Sequence, residues 1–401
     1  MLNKTHLLNR NSKIWNYDWQ LIVVTLILCI FGLVFLASAL SGNPQIESNR
    51  YWPDLGKQLV FGIGFGGLLA FIFAKTDYHI FVKKRVLFVW ITVILLFFVS
   101  CLAFVALVFR QDAGQLYDMF KSFPIKPVYI NGAGRWIRIQ SGLPDLQPSE
   151  IAKITMLIFF AGVLPKFGNQ EITLKKLKKP LWVLIAVLSM IFIQPDLGNT
   201  VVIMCIVGSA LWISGFNGRT LFKISLVLCL LGVIAVFGTE FRRKRVESKS
   251  AQVTFIESAL ANGGLMGKGY GNSDLKQNGR IYEANTDGII GVIGEETGFV
   301  GTFTLICLYF YLLYRGLKIA EEAVDLEGQI IATGITVWIG VQVFWNIGGM
   351  TGLLPPKGLP LPFISQGGTA IVMNLISIGF LLNISSQKKK DASSKKSIGL
   401  I

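Results

Sequence analysis

Histidine is scarce in this chain and paired cysteines are absent, and both features exclude classes of catalytic site. His6 and His79 are the only histidines among 401 residues, and the five cysteines contain no CxxC pair. All five cysteines fall in apolar stretches, so neither an external disulfide framework nor a zinc site is indicated. Both histidines map to segments that the charge distribution assigns to the cytoplasm, which excludes an outward-facing Ser-His-Asp hydrolase.

Charge is also sparse, since charged residues make up 15% of the chain and hydrophobic residues 52%. The sequence has no Walker loop or dinucleotide-binding motif, and the glycines of residues 62–67 lie in an apolar run, where they indicate helix packing. Apolar runs of about 20 residues recur, the length that one helix needs to cross a bilayer. The sequence therefore predicts an all-α, polytopic integral membrane protein.

Ten apolar stretches predict ten transmembrane helices. They cover residues 21–40, 59–74, 86–109, 150–164, 181–193, 199–215, 221–237, 289–314, 329–350 and 367–384. A long extracytoplasmic loop, residues 238–288, separates the seventh and eighth spans. We expect residues 1–387 to form a single transmembrane domain, followed by a polybasic cytoplasmic tail at 388–401.

Lysine and arginine are distributed unequally between the loops. With the N-terminus inside, the cytoplasmic segments hold 20 of these residues and the short outside loops hold 8, leaving aside the loop at 238–288. This asymmetry predicts that both termini are cytoplasmic. The net charge of +15 is then mostly loop charge that faces anionic lipid, and no nucleic-acid partner is indicated.

Polar sequence that looks ordered is concentrated in four segments, all of which this topology places at the exterior face. They are residues 131–153, 194–198, 238–296 and 355–369. Their convergence predicts one extracytoplasmic site that is built from several loops.

The first segment, NGAGRWIRIQSGLPDLQPSEIAK, carries the cations and acids of a candidate site. Arg135 and Arg138 flank Trp136, while Glu150 and Lys153 follow a helix start at a spacing of three, where they can pair. Ionisable residues at the mouth of a span are costly and mark function. A surface salt bridge with interfacial snorkelling is the alternative.

Asp196, in the turn QPDLG, and Lys268, in the stretch NGGLMGKGYGNS, extend this set. Asp196 suits either an N-cap of the next helix or a role in the site, and the two are compatible. Glycine N–H groups together with Lys268 suit a phosphate oxygen, although a flexible turn explains the glycines equally well.

Carboxylates collect in the stretch RIYEANTDGIIGVIGEETGF, at the start of an apolar span. On a helix from about residue 286, Asp287 would share a stripe with three glycines, and Glu295 would lie about two turns below it. A carboxylate between the membrane surface and a partly dry cavity can act as a general base on a hydroxyl. The alternative is that Asp287 caps the helix while Glu295 and Glu296 pair with loop cations.

The fourth segment, GLLPPKGLPLPFISQGGTA, contains prolines that rule out a regular helix before about Gly367. The segment predicts a re-entrant or extended outside loop that carries Lys357, Ser365 and Gln366. These side chains would then face the same exterior site.

Taken in order, the motifs NGAGRWIRI…LQPSEIAK, QPDLG, GKGYGNS, TDGIIGVIGEETGFVG and GLLPPKGLPLPFISQGG resemble the signatures of the shape, elongation, division and sporulation (SEDS) family, whose members include RodA and FtsW. The resemblance covers most of the chain. It leans to the FtsW-like branch, because NGAGRW and GKGYGNS are more similar to that branch, although a sporulation-type member would look much the same.

The resemblance implies a peptidoglycan glycosyltransferase that polymerises lipid II at the outer face of the bacterial cytoplasmic membrane. It also implies that the protein binds an undecaprenyl-pyrophosphate-linked glycan. The implied partners are a class B penicillin-binding protein, which acts as the transpeptidase, and divisome or elongasome proteins. Asp287 matches the family's essential aspartate and would be the catalytic base, and a divalent cation, Mg²⁺ or Mn²⁺, could assist at the pyrophosphate. The residues expected to bind substrate are Arg135, Glu150, Lys153, Asp196, Lys268, Glu295, Lys357 and Ser365.

Three positions depart from the family pattern. Asn285 stands where histidine is common, Gln366 where tyrosine is usual, and Leu146 where phenylalanine is usual. Two other functions remain open. One is a lipid II flippase, whose essential charges would spread through the membrane depth, and the other is a non-catalytic scaffold that activates a penicillin-binding protein. Charges clustered at one face favour transfer.

Overall fold

The computed structural model describes residues 17–41, 51–108, 126–130, 133–139, 143–168, 172–237, 240–280, 283–355 and 358–387. Lys357 and the predicted tail at 388–401 lie outside these residues. The helices are α1 (Trp19–Leu40), α2 (Tyr51–Lys57), a π-helix (Gln58–Phe65), α3 (Gly66–Lys75), α4 (Tyr78–Lys83), α5 (Arg85–Val108), α6 (Pro148–Val163), a 3-10 helix (Leu164–Phe167), α7 (Lys178–Ile193), α8 (Leu197–Ile213), α9 (Gly218–Phe237), α10 (Glu240–Gly263), α11 (Asp274–Gln277), α12 (Ile289–Glu321), α13 (Leu326–Met350) and α14 (Gly368–Ser386). An antiparallel hairpin of β1 (Lys126–Ile130) and β2 (Ala133–Arg138) precedes α6.

Each of the ten predicted apolar stretches coincides with a helix of the structure. Among the residues that the structure describes, five helical segments are long and apolar enough to cross a membrane, namely 19–40, 51–75, 289–321, 326–350 and 368–386. Arg85–Cys101 of α5 and the whole of α8 are shorter apolar helices. The predicted all-α architecture with several apolar spans is confirmed, and the number of ten crossings stays a prediction.

The predicted outside loop at 238–288 contains α10, a helix that the sequence does not signal. In the second half of this helix, where the structure describes the side chains, Val253, Ile256 and Ala259 are 9% exposed or less. Gly263 then lets α10 approach the backbone of α12 closely. The first turns are rich in charge, so α10 lacks the long apolar run by which spans are recognised.

Glycine contacts pack the π-helix and α3 against α14. An added Cβ at Gly62 would lie 2.8 Å from Ile371, and one at Gly66 would lie 2.9 Å from Leu375. Gly62 and Gly66 are four residues apart, and so are Ile371 and Leu375. One face of each helix therefore contacts the other over successive turns. Gly62 and Gly66 therefore serve helix packing, as the sequence predicts.

The two ends of the bundle carry different polar clusters. At the end that we call the terminal end, α1 meets α14, because the Asp18 N–H donates to Ser385 Oγ at 3.2 Å. Arg315, near the end of α12, also donates to Asp18. The opposite end, which we call the site end, holds the β-hairpin, the turn at 194–196, the turn at 283–288 and the re-entrant loop at 358–367.

His79 links two helix connections at the terminal end. Its ring nitrogens lie 2.6 Å from Asp77 Oδ1 and 2.7 Å from Asp325 Oδ2. Burial opposes the charged imidazolium, but hydrogen bonds and charge from the two carboxylates outweigh it, so the pKa of His79 is raised above its ordinary value of 6.5. The protonated ring therefore stabilises the fold at this end.

We expect the stabilisation by His79 to be complete below about pH 6.5 and to be lost as the pH rises through the raised folded-state pKa. The melting temperature of wild type should therefore exceed that of His79→Gln by more at about pH 6 than at about pH 9. Thermal unfolding in detergent at both pH values measures the difference. A difference that stays constant would show that the two carboxylates do not act on the ring.

Candidate functional site

The β-hairpin meets the turn between α7 and α8 through Arg135, which lies on β2 and is 8% exposed. Its Nε donates to the Gln194 carbonyl at 3.0 Å, and a second guanidinium nitrogen donates to the Pro195 carbonyl. The third guanidinium nitrogen lies 3.9 Å from Asp196 Oδ1. The hairpin therefore delivers a buried cation to the QPDLG turn.

Asp196 is the centre of this cluster and is 2% exposed. It caps α8 through the Asn199 N–H at 3.3 Å, and it accepts hydrogen bonds from Ser149 Oγ at 2.9 Å and Gln147 Nε2 at 3.2 Å. Burial alone would raise the pKa of Asp196, but the Arg135 charge and the hydrogen bonds outweigh burial and lower the pKa. Asp196 is therefore ionised, and it both caps α8 and ties the cluster together.

Glu150 and Lys153 form a buried ion pair in the first turns of α6. Lys153 Nζ lies 2.7 Å from Glu150 Oε2, and neither side chain is more than 1% exposed. The ammonium group also lies 4.7 Å from the centre of the Trp338 ring in α13, which is a cation–π contact. The alternative of a surface salt bridge is therefore wrong, because the pair lies inside the bundle.

Polar residues on α13 form a stripe that runs from this pair toward the turn that carries Asp287. Trp338 Nε1 donates to Gln342 Oε1 at 2.6 Å. One turn further, Asn346 Nδ2 donates to the Asp287 carbonyl at 3.1 Å and to the Leu359 carbonyl at 2.8 Å. The stripe residues are 0% exposed and recur every four residues, about 6 Å apart along the helix. They are absent from the predicted site, although polar residues at helical spacing inside an apolar span are a signal that could have found them.

The segment at 358–367 is a re-entrant loop that is buried among the helices, as the sequence predicts. Leu359 and Phe363 are each 1% exposed. Tyr309 of α12 donates to the Pro362 carbonyl at 2.6 Å. Backbone groups that the loop leaves outside regular structure thus find partners in neighbouring helices, which fixes the loop.

Asp287 lies in the turn at 283–288 and is 6% exposed. The predicted helix from about residue 286 is wrong at its start, because α12 begins at Ile289 and Gly288 is its N-cap. The physical reason is a turn in which the Gly288 N–H donates to the Glu283 carbonyl at 3.1 Å. Asp287 is therefore neither the helix cap nor part of a helical stripe, and it is held on a tight turn.

The re-entrant loop holds this turn in place. Ser365 Oγ donates to the Thr286 carbonyl at 2.6 Å, and the Gln366 N–H donates to the Asn285 carbonyl at 2.8 Å. The Asn285 side chain also donates to the Gln366 side chain. Two of the three residues that depart from the family pattern, Asn285 and Gln366, therefore contact each other, and Asn285 is two residues before Asp287 in the chain.

The re-entrant loop also reaches the cluster around Asp196. Leu359 packs against Gly198, where an added Cβ would lie 2.8 Å from the leucine side chain. Just beyond the loop, Thr369 Oγ1 accepts from the Gln147 N–H at 3.0 Å. The loop and α13 therefore join the predicted site residues at one end of the bundle, namely Arg135, Glu150, Lys153, Asp196, Asp287 and Ser365.

Lys268 and Glu295 belong to a second cluster, where the segment between α10 and α11 meets α12. Lys268 Nζ lies 2.6 Å from Asp274 and 2.8 Å from Glu295. Glu295 is 0% exposed and also accepts from Ser273 Oγ at 2.6 Å. Glu295 therefore fixes the start of α11, and the contribution of this cluster to substrate binding stays a prediction.

Glu296 and Lys276 form a further ion pair, at 3.0 Å, with both side chains 0% exposed. Ser38 of α1 donates to the same carboxylate at 2.5 Å, and Lys276 donates to the Ser38 carbonyl at 2.9 Å. The alternative in which Glu295 and Glu296 pair with loop cations is therefore realised in the structure. Lys276 is missing from the predicted site because a lysine in a polar stretch carries no signal of burial.

The glycine-rich loop after α10 packs against a break in α12. Gly298 has a φ of 66°, which interrupts the helix, so the predicted continuous stripe of glycines is wrong at this residue. The N–H groups of Lys268 and Gly269 donate to the carbonyls of Glu295 and Glu296, both at 3.0 Å. These loop N–H groups are therefore engaged with backbone and not directed at a phosphate.

Gly267→Ala should disrupt this backbone pairing. Gly267 has a φ of 80°, and an added Cβ would clash with the Glu296 carbonyl oxygen. We expect the free energy of unfolding to fall by about 2 kcal/mol, measured by chemical denaturation in detergent. Gly67→Ala is the matched control, because a Cβ there meets nothing within 4 Å. Equal losses in the two variants would argue against the clash.

Comparison with known proteins gives the relationship of this chain to a family. The profile described as Cell cycle protein, which represents FtsW, RodA and SpoVE, matches residues 118–390, more than half of the chain. The chain belongs to the FtsW, RodA and SpoVE family. Over 94% of its length it is 30% identical to a protein of Geobacter metallireducens named "Probable peptidoglycan glycosyltransferase FtsW", and the match covers 97% of that protein. A protein of Nitrosomonas europaea with the same name is 37% identical over 64% of this chain and 69% of that protein.

Solved structures share the fold of this FtsW, RodA and SpoVE family member. A chain from a peptidoglycan synthase complex, described as coordinating polymerization and crosslinking, superimposes with a TM-score of 0.72 at 24% identity, covering 94% of this chain and 99% of that chain. The rod shape determining protein RodA of Thermus thermophilus gives a TM-score of 0.66 at 24% identity, covering 95% of this chain and 100% of RodA. The SEDS resemblance and the all-α polytopic membrane fold are thus confirmed.

Proposed function

We propose that this protein is a peptidoglycan glycosyltransferase that polymerises lipid II into glycan strands at the outer face of the bacterial cytoplasmic membrane. The observation that carries the proposal is the re-entrant loop, which joins the Asp287 turn to the Asp196 cluster at the site end. The relatives named as peptidoglycan glycosyltransferases support it. Charges that gather at one end suit bond chemistry there better than passage through the bilayer.

Asp287 is the proposed general base. Its carboxylate takes the proton of the acceptor GlcNAc hydroxyl as the hydroxyl oxygen attacks the anomeric carbon of the donor. A new C–O bond forms while the bond to undecaprenyl pyrophosphate breaks, so the configuration inverts and a β-1,4 linkage results. At 6% exposure Asp287 is largely shielded from water, and the fixed turn keeps its carboxyl group in one place for the acceptor.

Positive charge for the leaving pyrophosphate is proposed to come from Arg135 and Lys153. The Lys268 ammonium group has three N–H donors, and two of them are directed at Asp274 and Glu295. We propose that the third also binds the pyrophosphate. The other residues predicted to bind substrate would contribute by position and hydrogen bonding, namely Glu150, Asp196, Glu295, Lys357 and Ser365.

A divalent cation would depend largely on the substrate for its ligands. Within the part of the chain that the structure describes, no group of three histidine, cysteine, aspartate or glutamate side chains could hold a metal ion. Mg²⁺ commonly binds through one or two carboxylates together with substrate phosphates and water. Asp287 and the pyrophosphate of lipid II would be such a set for Mg²⁺ or Mn²⁺, and the ion would neutralise charge on the leaving group.

We further propose that a class B penicillin-binding protein is the transpeptidase partner, within the division or elongation machinery. One structural neighbour comes from a peptidoglycan synthase complex that coordinates polymerization and crosslinking, which supports a partner of this kind. The relatives named FtsW favour the division role. Both termini are proposed to face the cytoplasm, where the basic loops would lie.

Purified protein, alone and with its cognate penicillin-binding protein, should convert labelled lipid II into glycan strands. Gel separation of the products measures the conversion. Failure of both preparations, together with transfer of lipid II across vesicle bilayers, would indicate a flippase. Strands that form only when the penicillin-binding protein is present, at a rate that replacing Asp287 leaves unchanged, would indicate a scaffold for another polymerase.

Asn346 positions Asp287 through its backbone, which gives a kinetic prediction. We expect Asn346→Ala to lower kcat by about tenfold and to change KM for lipid II by less than about twofold, because the base is displaced while the binding groups stay. Asn383→Ala is the control, since Asn383 is also 0% exposed and donates to a backbone carbonyl, that of Ala74, at the terminal end. Equal falls in kcat would show general destabilisation instead.

A further inference from the structure

An open groove of about 860 Å³ lies at the terminal end, between the end of α8 and the first turns of α9. Its lining residues are Trp212, Asn217, Gly218, Arg219, Phe222 and Lys223. The lining contains two cations and no acid. The groove lies at the opposite end of α8 from Asp196, so it is separate from the site end.

Local contacts give the groove a defined shape. Asn217 Oδ1 accepts from the N–H groups of Arg219 at 3.0 Å and Thr220 at 3.3 Å, which fixes the start of α9. The Trp212 ring packs directly on Gly218, where an added Cβ would lie 2.5 Å from a ring carbon. An aromatic wall is therefore held beside the first turn of a basic helix.

Arg219 and Lys223 present two cations on one face of α9, because they are four residues apart. Both are exposed, and neither forms an ion pair with an acidic side chain of the described residues. Guanidinium and ammonium groups at this spacing suit the oxygens of a phosphate group.

Apolar side chains continue from the groove along the outside of the bundle. Trp212 is 62% exposed, Phe222 is 69% exposed and Leu226 is 60% exposed. On a membrane helix such surface faces acyl chains, and tryptophan at a helix end lies at the level of the headgroups. A soluble anion would use only the cations, whereas a phospholipid would use both the cations and the apolar wall.

We propose that this groove binds an anionic glycerophospholipid. The headgroup phosphate lies between Arg219 and Lys223, and the acyl chains lie along Phe222 and Leu226. The predicted topology places the groove at the cytoplasmic leaflet, where basic residues attract anionic lipid. A choline headgroup brings its own cation to the two side chains, so a zwitterionic lipid binds more weakly.

Native mass spectrometry of the full chain in detergent, titrated with dioleoylphosphatidylglycerol or dioleoylphosphatidylcholine, tests the proposal. We expect tighter binding of the anionic lipid to wild type. Arg219→Gln combined with Lys223→Gln should weaken that binding by about 25-fold, from about fivefold for each cation. Lys83→Gln combined with Lys84→Gln, two exposed lysines outside the groove at the same end, should leave it unchanged.

Trp212→Leu keeps both charges and should weaken the binding of both lipids. The melting temperature of every variant shows whether a loss of binding reflects the site or unfolding. If the double glutamine variant does not fold, each single variant should show its fivefold loss. Equal affinity of wild type for the two lipids would overturn the proposal, as would equal losses in the groove variant and the Lys83 and Lys84 control. Displacement of the lipid by millimolar inorganic phosphate would assign the groove to a soluble anion.

Discussion

Asp287→Asn is expected to lower the rate of lipid II polymerisation by about 100- to 10,000-fold, the usual contribution of a general base. Asparagine has the size of aspartate, so substrate binding should persist. Its amide cannot take the proton of the acceptor hydroxyl at neutral pH. Because the Asp287 backbone carbonyl, not its side chain, accepts from Asn346, the turn should also keep its contact with α13. The measurement is the rate of strand formation under saturating lipid II, together with the melting temperature of the variant.

Glu257→Gln is the control for Asp287→Asn, because Glu257 is an exposed carboxylate on α10 in the same half of the chain. It should polymerise lipid II at the wild-type rate. Wild-type turnover by Asp287→Asn would remove the proposed base. A large loss of thermal stability in Asp287→Asn would instead mean that the carboxylate supports the fold.

Breaking the Glu150–Lys153 pair should have the second largest effect, on stability. Lys153→Met leaves the Glu150 carboxylate buried without its partner, which costs about 3–5 kcal/mol. Lys153→Met combined with Glu150→Gln removes both charges at nearly constant volume and should recover most of that loss. Both variants should be inactive, since the cation is proposed to hold pyrophosphate, so denaturation and activity report separate properties.

Lys57→Met supplies the matched control for this pair. Lys57 also pairs with an acid three residues away, Asp54, at 3.6 Å, but its side chain is 36% exposed. Water reaches the Lys57 ammonium although the Asp54 side chain is only 11% exposed, so the attraction is partly screened and the control should lose much less stability than Lys153→Met. If the single and the double variant of the buried pair were equally unstable, the charge left behind would not be the cause.

The apolar helices, and the end of the bundle at which the candidate residues lie, could be predicted from the sequence because both rest on features that are local in the chain. Apolar run length fixes where helices form, and the polar motifs fall in the turns between them. The pairing of Glu150 with Lys153 follows from their spacing on one helix. The grouping of Arg135 with Arg138 did not hold, because β2 alternates its faces and Arg138 pairs with Asp145 at 2.6 Å.

The contacts made between distant segments could not be predicted from the sequence. Lys276 is buried where it donates to Ser38 of α1, and the short polar stretch around Lys276 carries no signal of this contact. The break at Gly298 depends on hydrogen bonds from a loop about 30 residues earlier in the chain. Burial and backbone pairing of this kind follow from tertiary packing, which local patterns do not encode.

The departures from the family pattern also show which features are visible in the sequence and which require the structure. The sequence identifies Asn285 and Gln366 as unusual one at a time, and the structure shows that they hydrogen-bond to each other. An amide pair thus stands where the family commonly has histidine and tyrosine, and it carries no charge at any pH used for assay. The neighbourhood of Asp287 therefore lacks an imidazole within the turn that could assist proton transfer.

The most direct test of the central claim is an experimental structure of the protein with a non-reactive lipid II analogue bound at the donor position and a glycan acceptor in place. We expect the pyrophosphate to lie at the site end, near Arg135 and Lys153. We also expect the acceptor hydroxyl to lie about 3 Å from the Asp287 carboxyl group, or one water away. A lipid II pyrophosphate bound at the terminal end, or an acceptor beyond the reach of Asp287, would contradict the proposed mechanism.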